Sequence, residues 1–418
     1  MRAHTPKEPG LEDIDPAADP YAAYAALRAK GPVHRVPVVP AGGDSWLVVT
    51  HEAVRRALTD PRLRNDIRYS AAWETDGGHA VGRNMLQSDP PQHTRLRRLV
   101  AGHFTPGRIA GLRPRIEAVA RELLAELPEQ GTADLVSGYA LPLPVTVICE
   151  VLGVPVADRT AFHTWSNELV MPTSEEAAAG SADALTGYLT ELIAEKTRAP
   201  DDSLLAALAA AAADTSAGPL PEPGAGGLTS EELLGMAFLL LVAGHETTVN
   251  LISATLHSLL THPDQLARLR ADPSLTGGAV EESLRYNSPV HAGAFRFAAE
   301  PLNLAGTHID AGDAVLVSLA AASLDPLAFP DPDRFDITRR PRGHLGFGHG
   351  PHHCLGAPLA RAEATIALRL LLDRYSSLTF ATDPTDLVWR TSTLLRGLKE
   401  LPLRLGRPGG RDSTGPPA

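Results

Sequence analysis

The segment FGHGPHHCLG, residues 347–356, places one cysteine, three histidines and three glycines within ten positions. Its cysteine, Cys354, begins the segment CLGAPLARAEATIALRLLLDRY, in which leucine and isoleucine recur at helical spacing. A cysteine at the N-terminus of a helix is expected to have a lowered thiol pKa, because the helix dipole and unpaired N–H groups stabilise the thiolate. The glycines remove side chains, so the backbone could approach a flat group and N–H groups could point at the sulfur.

Three kinds of cysteine environment are compatible with this segment. A structural zinc site uses four ligands, usually in two separated pairs, whereas the cysteine and histidines here form one cluster. The second cysteine, Cys149, lies in the apolar segment VTVICEVLG, which favours a buried, unreactive thiol. A buried structural thiol is also the commonest state of any single cysteine. The glycines around Cys354 favour the third environment, in which one thiolate binds a large planar metal cofactor, namely haem.

The composition is typical of a globular protein and argues against nucleic-acid binding. Of the 418 residues, 44% are hydrophobic and only 5% aromatic, and the formal net charge is −11; acidic chains with few aromatic residues bind nucleic acids poorly. Two cysteines allow one disulfide at most, which is typical of a reducing cytoplasm. The longest apolar run, MAFLLLVAG from Met236, is far shorter than the ~20 residues that span a bilayer. We therefore expect a cytoplasmic protein without a signal peptide or membrane anchor.

Helical patterns dominate the chain, with a few strands. The segments IEAVARELLAEL from Ile116 and 181–196 repeat apolar residues at intervals of three and four. Strands are expected in DSWLVVT from Asp44, and two more in 302–319. The Pro/Gly-rich segment 215–227 is interpreted as a surface loop between helices, with a domain linker as the alternative.

The longest helix is predicted to begin at a capping box formed by Thr229 and Glu232 and to stop at Pro263. It would be about 33 residues long, against a mean of ~11–12, and apolar nearly all round, so it should cross the centre of the protein. Its middle carries AGHETT, residues 243–248. Buried polar residues in a helix need partners or a task, so this sextet predicts a functional segment, with a hydrated kink as the alternative.

Five motifs together resemble the cytochrome P450 superfamily. FGHGPHHCLG is similar to its haem-binding signature, and AGHETT to its oxygen-activating central helix. ESLR, from Glu282 to Arg285, resembles its Glu-x-x-Arg motif, and FPDPDRFD from Phe329 resembles the meander that precedes the haem loop. DPPQHTRLRRLV from Asp89 resembles the helix that crosses the haem edge in soluble bacterial members. The motifs follow the family order and, with their flanks, cover nearly the whole chain.

The resemblance implies a mainly α fold with small β-sheets, an α+β protein with a long central helix over a buried haem b. It also implies that residues 1–406 form one P450 domain, followed by a disordered tail at 407–418. One departure is ASLDP at 322–326, where Ser323 and Leu324 replace a polar pair common in bacterial members, which puts local hydrogen bonding in doubt.

The resemblance assigns residues to the haem. Cys354 is implied as the axial thiolate and Phe347 as the ring that shields the sulfur, while zinc ligation remains the alternative for the cysteine. We call residues 347–356 the cysteine loop. The other residues implied to contact the cofactor are Gly348 and Gly356 in this loop, Ala243 and Gly244 in the central helix, and His93, Arg97, Arg296 and His352 at the anionic propionates.

Other implied roles concern proton delivery and the fold. Thr247, with Glu246, resembles the alcohol–acid pair that supplies protons during oxygen activation; its hydroxyl is expected to accept a hydrogen bond from the distorted helix. Glu282 and Arg285, joined by Arg334 of the meander, are implied to be a buried structural cluster, whereas Glu281 is interpreted as a surface acid.

The implied function is a monooxygenase that hydroxylates or epoxidises a bulky hydrophobic secondary metabolite. The sequence looks most like actinobacterial members that tailor polyketides such as macrolides; oxidative coupling and a non-catalytic haem-binding module are the alternatives. Segments that line the family's pocket, including 64–88 and 163–185, supply apolar or acidic residues here, and Glu74 and Asp76 are interpreted as solvated. The implied pocket residues are Met85, Leu86, Leu239, Val290, Ala292, Leu394 and Leu395.

No flavin-type or iron–sulfur segment is present, so electrons must come from other proteins. By resemblance these are a ferredoxin and its NAD(P)H-dependent reductase, acting on a monomer that also binds O2. Acidic carriers would dock on the cysteine side, where five arginines could form a basic patch: Arg95, Arg98, Arg340, Arg342 and Arg361. Scattered solvated arginines are the alternative.

Overall fold

The computed structural model describes residues 20–37, 44–72, 83–170, 173–213, 227–340, 342–392 and 394–407. Helices dominate this part of the chain: α1 Pro20–Lys30, α2 His51–Thr59, α3 Gln92–Ala101, α4 Pro106–Glu126, α5 Pro142–Leu152, α6 Arg159–Val170, α7 Glu175–Arg198, α8 Leu204–Ala213, α9 Ser230–Ala243, α10 Glu246–Thr261, α11 Pro263–Ala271, α12 Thr276–Tyr286, α13 Leu319–Ser323 and α14 Ala357–Arg374. The helices expected around Ile116 and at 181–196 are confirmed as parts of α4 and α7.

The strands are short: β1 Val33–Pro37, β2 Asp44–Val48, β3 Leu63–Arg64, β4 Gly131–Asp134, β5 Arg296–Ala298, β6 Leu302–Leu304, β7 Thr307–Ile309, β8 Ala314–Val317, β9 Leu378–Phe380, β10 Trp389–Thr391, β11 Arg396–Leu398 and β12 Pro402–Leu405. The largest sheet has the order β1-β2-β8-β5-β3, in which β2 and β8 are parallel. Smaller sheets pair β4-β12-β9, β6-β7 and β10-β11. The architecture is therefore the expected α+β class.

The segment 302–319 forms three strands rather than the predicted two. Ala305 and Gly306 have φ values of 51° and 91°, the double positive φ of a tight hairpin turn, so β6 and β7 separate after three residues each. Gly312, at φ 88°, then starts a second turn before β8. The strand predicted from Asp44 is confirmed as β2.

The predicted central helix is present, but it is interrupted. The Thr229–Glu232 capping box is confirmed, since Thr229 Oγ1 accepts from Glu232 N–H and Glu232 Oε2 accepts from Thr229 N–H, each at 3.1 Å. The helix then breaks at Gly244 and His245, which separate α9 from α10. The prediction of a single helix of about 33 residues was therefore wrong.

The interrupted helix lies in the core rather than in a membrane. Among the described residues, Ser230–Thr261 counted across the break is long and apolar enough to cross a bilayer, but 67% of its most apolar window is buried inside the protein. α10 packs against α12, α14 and β11. The centre of the fold is thus a helix with buried neighbours on several sides.

A buried cluster ties α12 to the segment that precedes the cysteine loop. Arg285 donates to both carboxylate oxygens of Glu282, at 2.8 and 2.9 Å, and neither side chain is exposed. The third arginine is Arg339, whose Nε lies 3.3 Å from Glu282 Oε1. Arg334 was assigned this role wrongly: it contributes its backbone carbonyl to Arg285, while its own side chain is 61% exposed and pairs with Asp336.

Two further polar residues support the same region. Ser323 Oγ accepts from the backbone N–H of Leu345, so the departure at 322–326 still supplies a hydrogen bond to the loop. Glu281 is not a simple surface acid, because it accepts from Arg361 at 2.5 Å and from His344 at 3.0 Å. These contacts join α12 to α14, and they join α12 and α13 to the residues just before the cysteine loop.

Some expectations concern residues that the structure does not describe. The loop predicted at 215–227 falls outside the described residues except for Gly227, as do Glu74 and Asp76. The tail predicted at 407–418 does so from residue 408 onward. Arg407 itself is held by its backbone, whose carbonyl accepts from Ser376 N–H and Oγ–H.

Candidate active site

A cavity of about 330 Å³ lies between the broken helix, the cysteine loop and the first turns of α14. Cys354 and Thr247 both line this cavity. Within the described residues, none from 163–185 lines it, contrary to expectation. All seven predicted pocket residues do line it: Met85, Leu86, Leu239, Val290, Ala292, Leu394 and Leu395.

The cysteine loop is held in a fixed shape by its own backbone. Cys354 N–H donates to the carbonyl of Phe347 at 2.9 Å. Gly348 and Gly350 have φ values of 70° and 74°, which glycine tolerates and other residues rarely adopt. A Cβ on Gly350 would lie 2.9 Å from the carbonyl oxygen of Leu58, so α2 leaves no room for a side chain there.

The sulfur of Cys354 lies at the N-terminus of α14, and opposing effects act on the pKa of its thiol. Burial raises the pKa of the Cys354 thiol, while the backbone N–H groups of Gly356 and Ala357 and the guanidinium of Arg97 act to lower it. The lowered pKa expected from the helix terminus is therefore outweighed in the free thiol. The N–H groups nevertheless point as predicted, and a metal ion bound to the sulfur would deprotonate it outright.

Phe347 and two glycines of the cysteine loop border the cavity. Phe347, Gly348 and Gly356 all line the cavity, and the Arg361 guanidinium lies 4.4 Å from the centre of the Phe347 ring. Among the described residues no group of three or more His, Cys, Asp or Glu side chains could hold a metal ion. The geometry therefore favours a single-cysteine ligand over a zinc cluster.

The four residues predicted to bind propionates meet at one end of the cavity. The rings of His93 and His352 have centroids 4.2 Å apart, and Arg97 and Arg296 lie close enough to affect the charge of His352. Burial lowers the pKa of His352 to about 3, with the neighbouring His93, Arg296 and Arg97 acting in the same direction. This end of the cavity is thus rich in donors and positive charge.

Two atoms of this cluster test whether an anionic group fits. Nε2 of His93 and Nε of Arg296 are buried and have no hydrogen-bond partner among the described residues. Arg296 keeps one bond, from Nη1 to the carbonyl of Leu63 at 3.3 Å, and Arg97 donates to the carbonyl of His353 at 2.7 Å. Unpaired buried donors are destabilising unless an acceptor reaches them, and the two carboxylates of haem are acceptors of that kind. The residues present fit haem.

The break in the helix is closed by side chains. Thr247 Oγ1 donates to the carbonyl of Ala243 at 3.2 Å, so the hydroxyl is a donor here and not the acceptor that was expected. His245 Nδ1 lies 2.9 Å from the carbonyl of Leu241. Gly244 admits no side chain, since a Cβ would lie 2.6 Å from Ile148 Cγ1. Ala243, Gly244 and Thr247 all line the cavity, as predicted.

Glu246 lies behind the break and away from the cavity lining. Its side chain is 2% exposed, and neither carboxylate oxygen has a hydrogen-bond partner among the described residues. Burial raises the pKa of Glu246, while Arg390, 3.9 Å away, and His163 act to lower it. Such a group is neutral more readily than a surface glutamate and can therefore hold a proton.

The buried histidines make stability sensitive to acid. Burial lowers the pKa of His245 and His257 to about 4 and that of His291 to about 3. In the unfolded chain histidine titrates near ~6.5, so between that pH and ~4 the unfolded state binds more protons. We therefore expect the free energy of unfolding to be nearly constant above pH ~7 and to fall by about 2 kcal/mol per histidine, about 6 kcal/mol at most for the three, between pH ~7 and ~5.

Urea unfolding at a series of pH values measures this dependence. His291→Phe should flatten the slope, because it removes one of the groups that protonates only on unfolding. Equal midpoints at pH ~7 and ~5 in the unsubstituted protein would contradict the expectation.

Sequence reasoning missed three features of the site. Arg339 follows the meander motif by three residues, and only packing distinguishes it from Arg334. Glu363, on the cavity-facing side of α14, is fully buried and lacks a described hydrogen-bond partner. Ser166 contacts His245 from α6 across 79 residues of sequence, which no local pattern signals.

Comparison with known proteins agrees with this geometry. The family model described as Cytochrome P450 matches residues 158–399. Cytochrome P450 monooxygenase PikC of Streptomyces venezuelae is 50% identical over 401 residues, covering 95% of this chain and 94% of that protein. The 6-deoxyerythronolide B hydroxylase of Saccharopolyspora erythraea is 42% identical over 410 residues, covering 95% and 98%.

A solved structure shows the same fold. The tirandamycin C-bound P450 monooxygenase TamI superposes with a TM-score of 0.86 at 45% identity, covering 93% of this chain and 98% of that one. Members of this family carry haem, and their activity requires a supply of electrons, a substrate and O2. The chain therefore belongs to the cytochrome P450 family and is a haem-thiolate monooxygenase.

Proposed function

We propose that this enzyme inserts one oxygen atom from O2 into a bulky hydrophobic secondary metabolite of the polyketide class, by hydroxylation or epoxidation. The observation that carries the proposal is that Cys354 and Thr247, beside the helix break, line one shared cavity, whose lining is mostly apolar. The similarity to a hydroxylase named for 6-deoxyerythronolide B supports a macrolactone as the substrate type.

Each group of site residues has a defined task in this proposal. Haem, when bound, supplies the activation of O2. Cys354 would ligate the metal, with its sulfur held by the N–H groups at the start of α14, while His93, Arg97, Arg296 and His352 would hold the propionates. The apolar residues of the cavity would exclude water and orient the substrate.

Proton delivery is assigned to the broken turn. The Thr247 hydroxyl, which donates to the Ala243 carbonyl, would hold a water molecule at the cavity wall. Glu246, buried behind it with a raised pKa, can hold a proton and would donate it toward that turn.

The redox partners proposed are a ferredoxin and its NAD(P)H-dependent reductase, in the cytoplasm, acting on a monomer whose residues 1–406 form one domain. The basic surface for docking is smaller than expected, because Arg95 is bonded to Glu232 and Arg361 to Glu281. Its exposed members are Arg98, Arg340 and Arg342.

Reconstitution tests the proposed function. The purified enzyme would be supplied with a bacterial ferredoxin, its reductase, NADPH and a panel of macrolactones that begins with 6-deoxyerythronolide B. A product that carries one atom from isotopically labelled O2 supports the proposal. Turnover confined to small or polar compounds, with no macrolactone oxidised, would overturn it.

Replacing Thr247 by alanine is expected to uncouple the enzyme. Substrate affinity should change less than about twofold, because the hydroxyl adds little to an apolar pocket. Product formed per NADPH should fall about tenfold, which is less than the ~10²–10⁴-fold that positioned proton transfer contributes, because water can still supply some protons. Hydrogen peroxide release should rise correspondingly. Spectral titration, product analysis and a peroxide assay measure the three quantities.

Thr255→Ala is the matched control for this variant. Thr255 lies on the same helix and donates the same kind of bond, to the carbonyl of Leu251 at 2.7 Å, but does not line the cavity. Its loss should leave coupling unchanged. A Thr247→Ala enzyme that stays as tightly coupled as Thr255→Ala would show that the hydroxyl has no part in proton delivery.

A further inference from the structure

His245 occupies the broken turn itself and is enclosed by α6. The imidazole is fully buried, and the rings of Phe162 and His163 lie 5.4 and 6.1 Å from its centroid. Ser166, one turn further along α6, places its Oγ 3.0 Å from His245 Nε2. Three residues on one side of α6 thus contact a single side chain of the central helix.

The direction of the hydrogen bonds around His245 follows from chemistry. The carbonyl of Leu241 can only accept, so Nδ1 must carry the hydrogen that bridges their 2.9 Å separation. A neutral imidazole then has a lone pair at Nε2 and accepts there, so the Ser166 hydroxyl must be the donor. Ser166 Oγ also lies 3.2 Å from the carbonyl of His163. Its single proton cannot form two full-strength hydrogen bonds at once.

The carbonyl of Leu241, which accepts from the His245 imidazole, belongs to the broken turn. In an uninterrupted helix the carbonyl of Leu241 would accept from the backbone N–H of residue 245, and that bond is replaced here by the imidazole of the same residue. Glu246 follows His245 directly in sequence. The Thr247 hydroxyl donates to the carbonyl of Ala243, which belongs to the same broken turn. The position of the imidazole therefore defines the turn that carries both.

We propose that His245 is a positioning residue that couples α6 to the proton-delivery turn: Ser166 fixes the imidazole, and the imidazole fixes the turn that presents Glu246 and Thr247. The inference rests on the proposed role of that turn in catalysis. It adds that the placement of α6 is transmitted to the turn through one serine hydroxyl.

Single substitutions on α6 test the coupling without altering the central helix. Ser166→Ala removes the donor and Ser166→Thr retains a hydroxyl. Thr164→Ala removes an exposed hydroxyl of the same helix that donates to the carbonyl of Thr160. We expect Ser166→Ala to raise hydrogen–deuterium exchange in peptides covering residues 241–249. Ser166→Thr and Thr164→Ala should leave that exchange unchanged.

Activity provides the second measurement, with the macrolactone that the enzyme oxidises best in the panel above. Ser166→Ala should lower product per NADPH by about two- to fivefold, the size expected for loss of one neutral hydrogen bond. Substrate affinity should not change, and Ser166→Thr should restore coupling. A purely structural serine would lower the thermal midpoint and leave coupling intact.

The outcomes separate the two levels of the proposal. Unchanged exchange at 241–249 in Ser166→Ala would overturn the coupling of α6 to the turn. Increased exchange with unchanged product per NADPH would overturn the positioning role. If Thr247→Ala itself stays coupled, the proposed proton delivery fails, and the exchange data still show whether α6 holds the turn.

Discussion

Cys354→Ser is expected to abolish monooxygenase activity while leaving the haem pocket folded. A serine hydroxyl does not ionise near neutral pH, so the electron-rich thiolate that favours O–O cleavage is lost. The donors at the propionate end and the apolar lining are untouched, so haem should still bind. The reduced enzyme with carbon monoxide should lose the strongly red-shifted Soret band of a thiolate ligand, and product formation should fall below detection.

Cys149→Ser is the control for this substitution. Cys149 is buried in α5 and does not line the cavity, and burial raises the pKa of its thiol to about 12. Its replacement should lower stability modestly and preserve the red-shifted band. Retention of that band in Cys354→Ser would mean that a group other than Cys354 ligates the iron.

Glu282→Gln should have the second largest effect, on folding rather than chemistry. The amide keeps the volume of the side chain but leaves the Arg285 guanidinium buried without a counter-charge. Breaking a buried pair in this way costs about 3–5 kcal/mol, a large part of the ~5–15 kcal/mol that stabilises a typical protein. We expect a low yield of holoenzyme and a strongly lowered urea midpoint.

Glu117→Gln offers a comparison with the same chemical change at the surface. Glu117 pairs with Arg369 at 2.8 Å, but both side chains are about one third exposed, 32% and 39%. Exposed pairs contribute about 0–1 kcal/mol, so this variant should resemble wild type. Equal stability of the two variants would show that the Glu282 cluster does not organise the fold.

The effect of Glu282 should reach the haem because of what its partner holds. Arg285 donates to the carbonyls of Pro332 and Arg334, and Glu282 accepts from the N–H of Asp336. These contacts fix the chain shortly before the cysteine loop. Haem content per folded molecule is therefore the sensitive measurement, in addition to the urea midpoint.

Features that depend on neighbouring residues could be predicted from sequence. The cysteine loop is an example, since its glycine conformations and the Cys354–Phe347 bond arise within ten residues. The capping box at Thr229 is another, because both partners lie within one turn. The dominance of helices with a few strands followed from local periodicity, whereas the α+β class was implied by the resemblance to the family.

Features that depend on distant partners could not. Periodicity indicated one helix through residues 243–248, but the structure breaks it at His245, whose imidazole is in contact with Ser166 and its neighbours on α6, which are distant in sequence. Arg334 and Arg339 are equally plausible partners for Glu282 in sequence, and only the path of the meander backbone selects Arg339. The charge patch was overestimated for the same reason, since Arg95 and Arg361 find acidic partners on other helices.

The five-stranded sheet has a consequence for how the protein is made. Its strand β2 pairs with β8, so that Trp46 is opposite Val315, and β3 pairs with β5. β1 and β2 can pair soon after they are made, but the second edge of β2 and the whole of β3 must wait until β5 and β8 have left the ribosome, and closing so long a loop is slow. One edge of β2 and the strand β3 therefore stay unpaired for most of translation, which exposes this nascent segment to aggregation and to capture by chaperones.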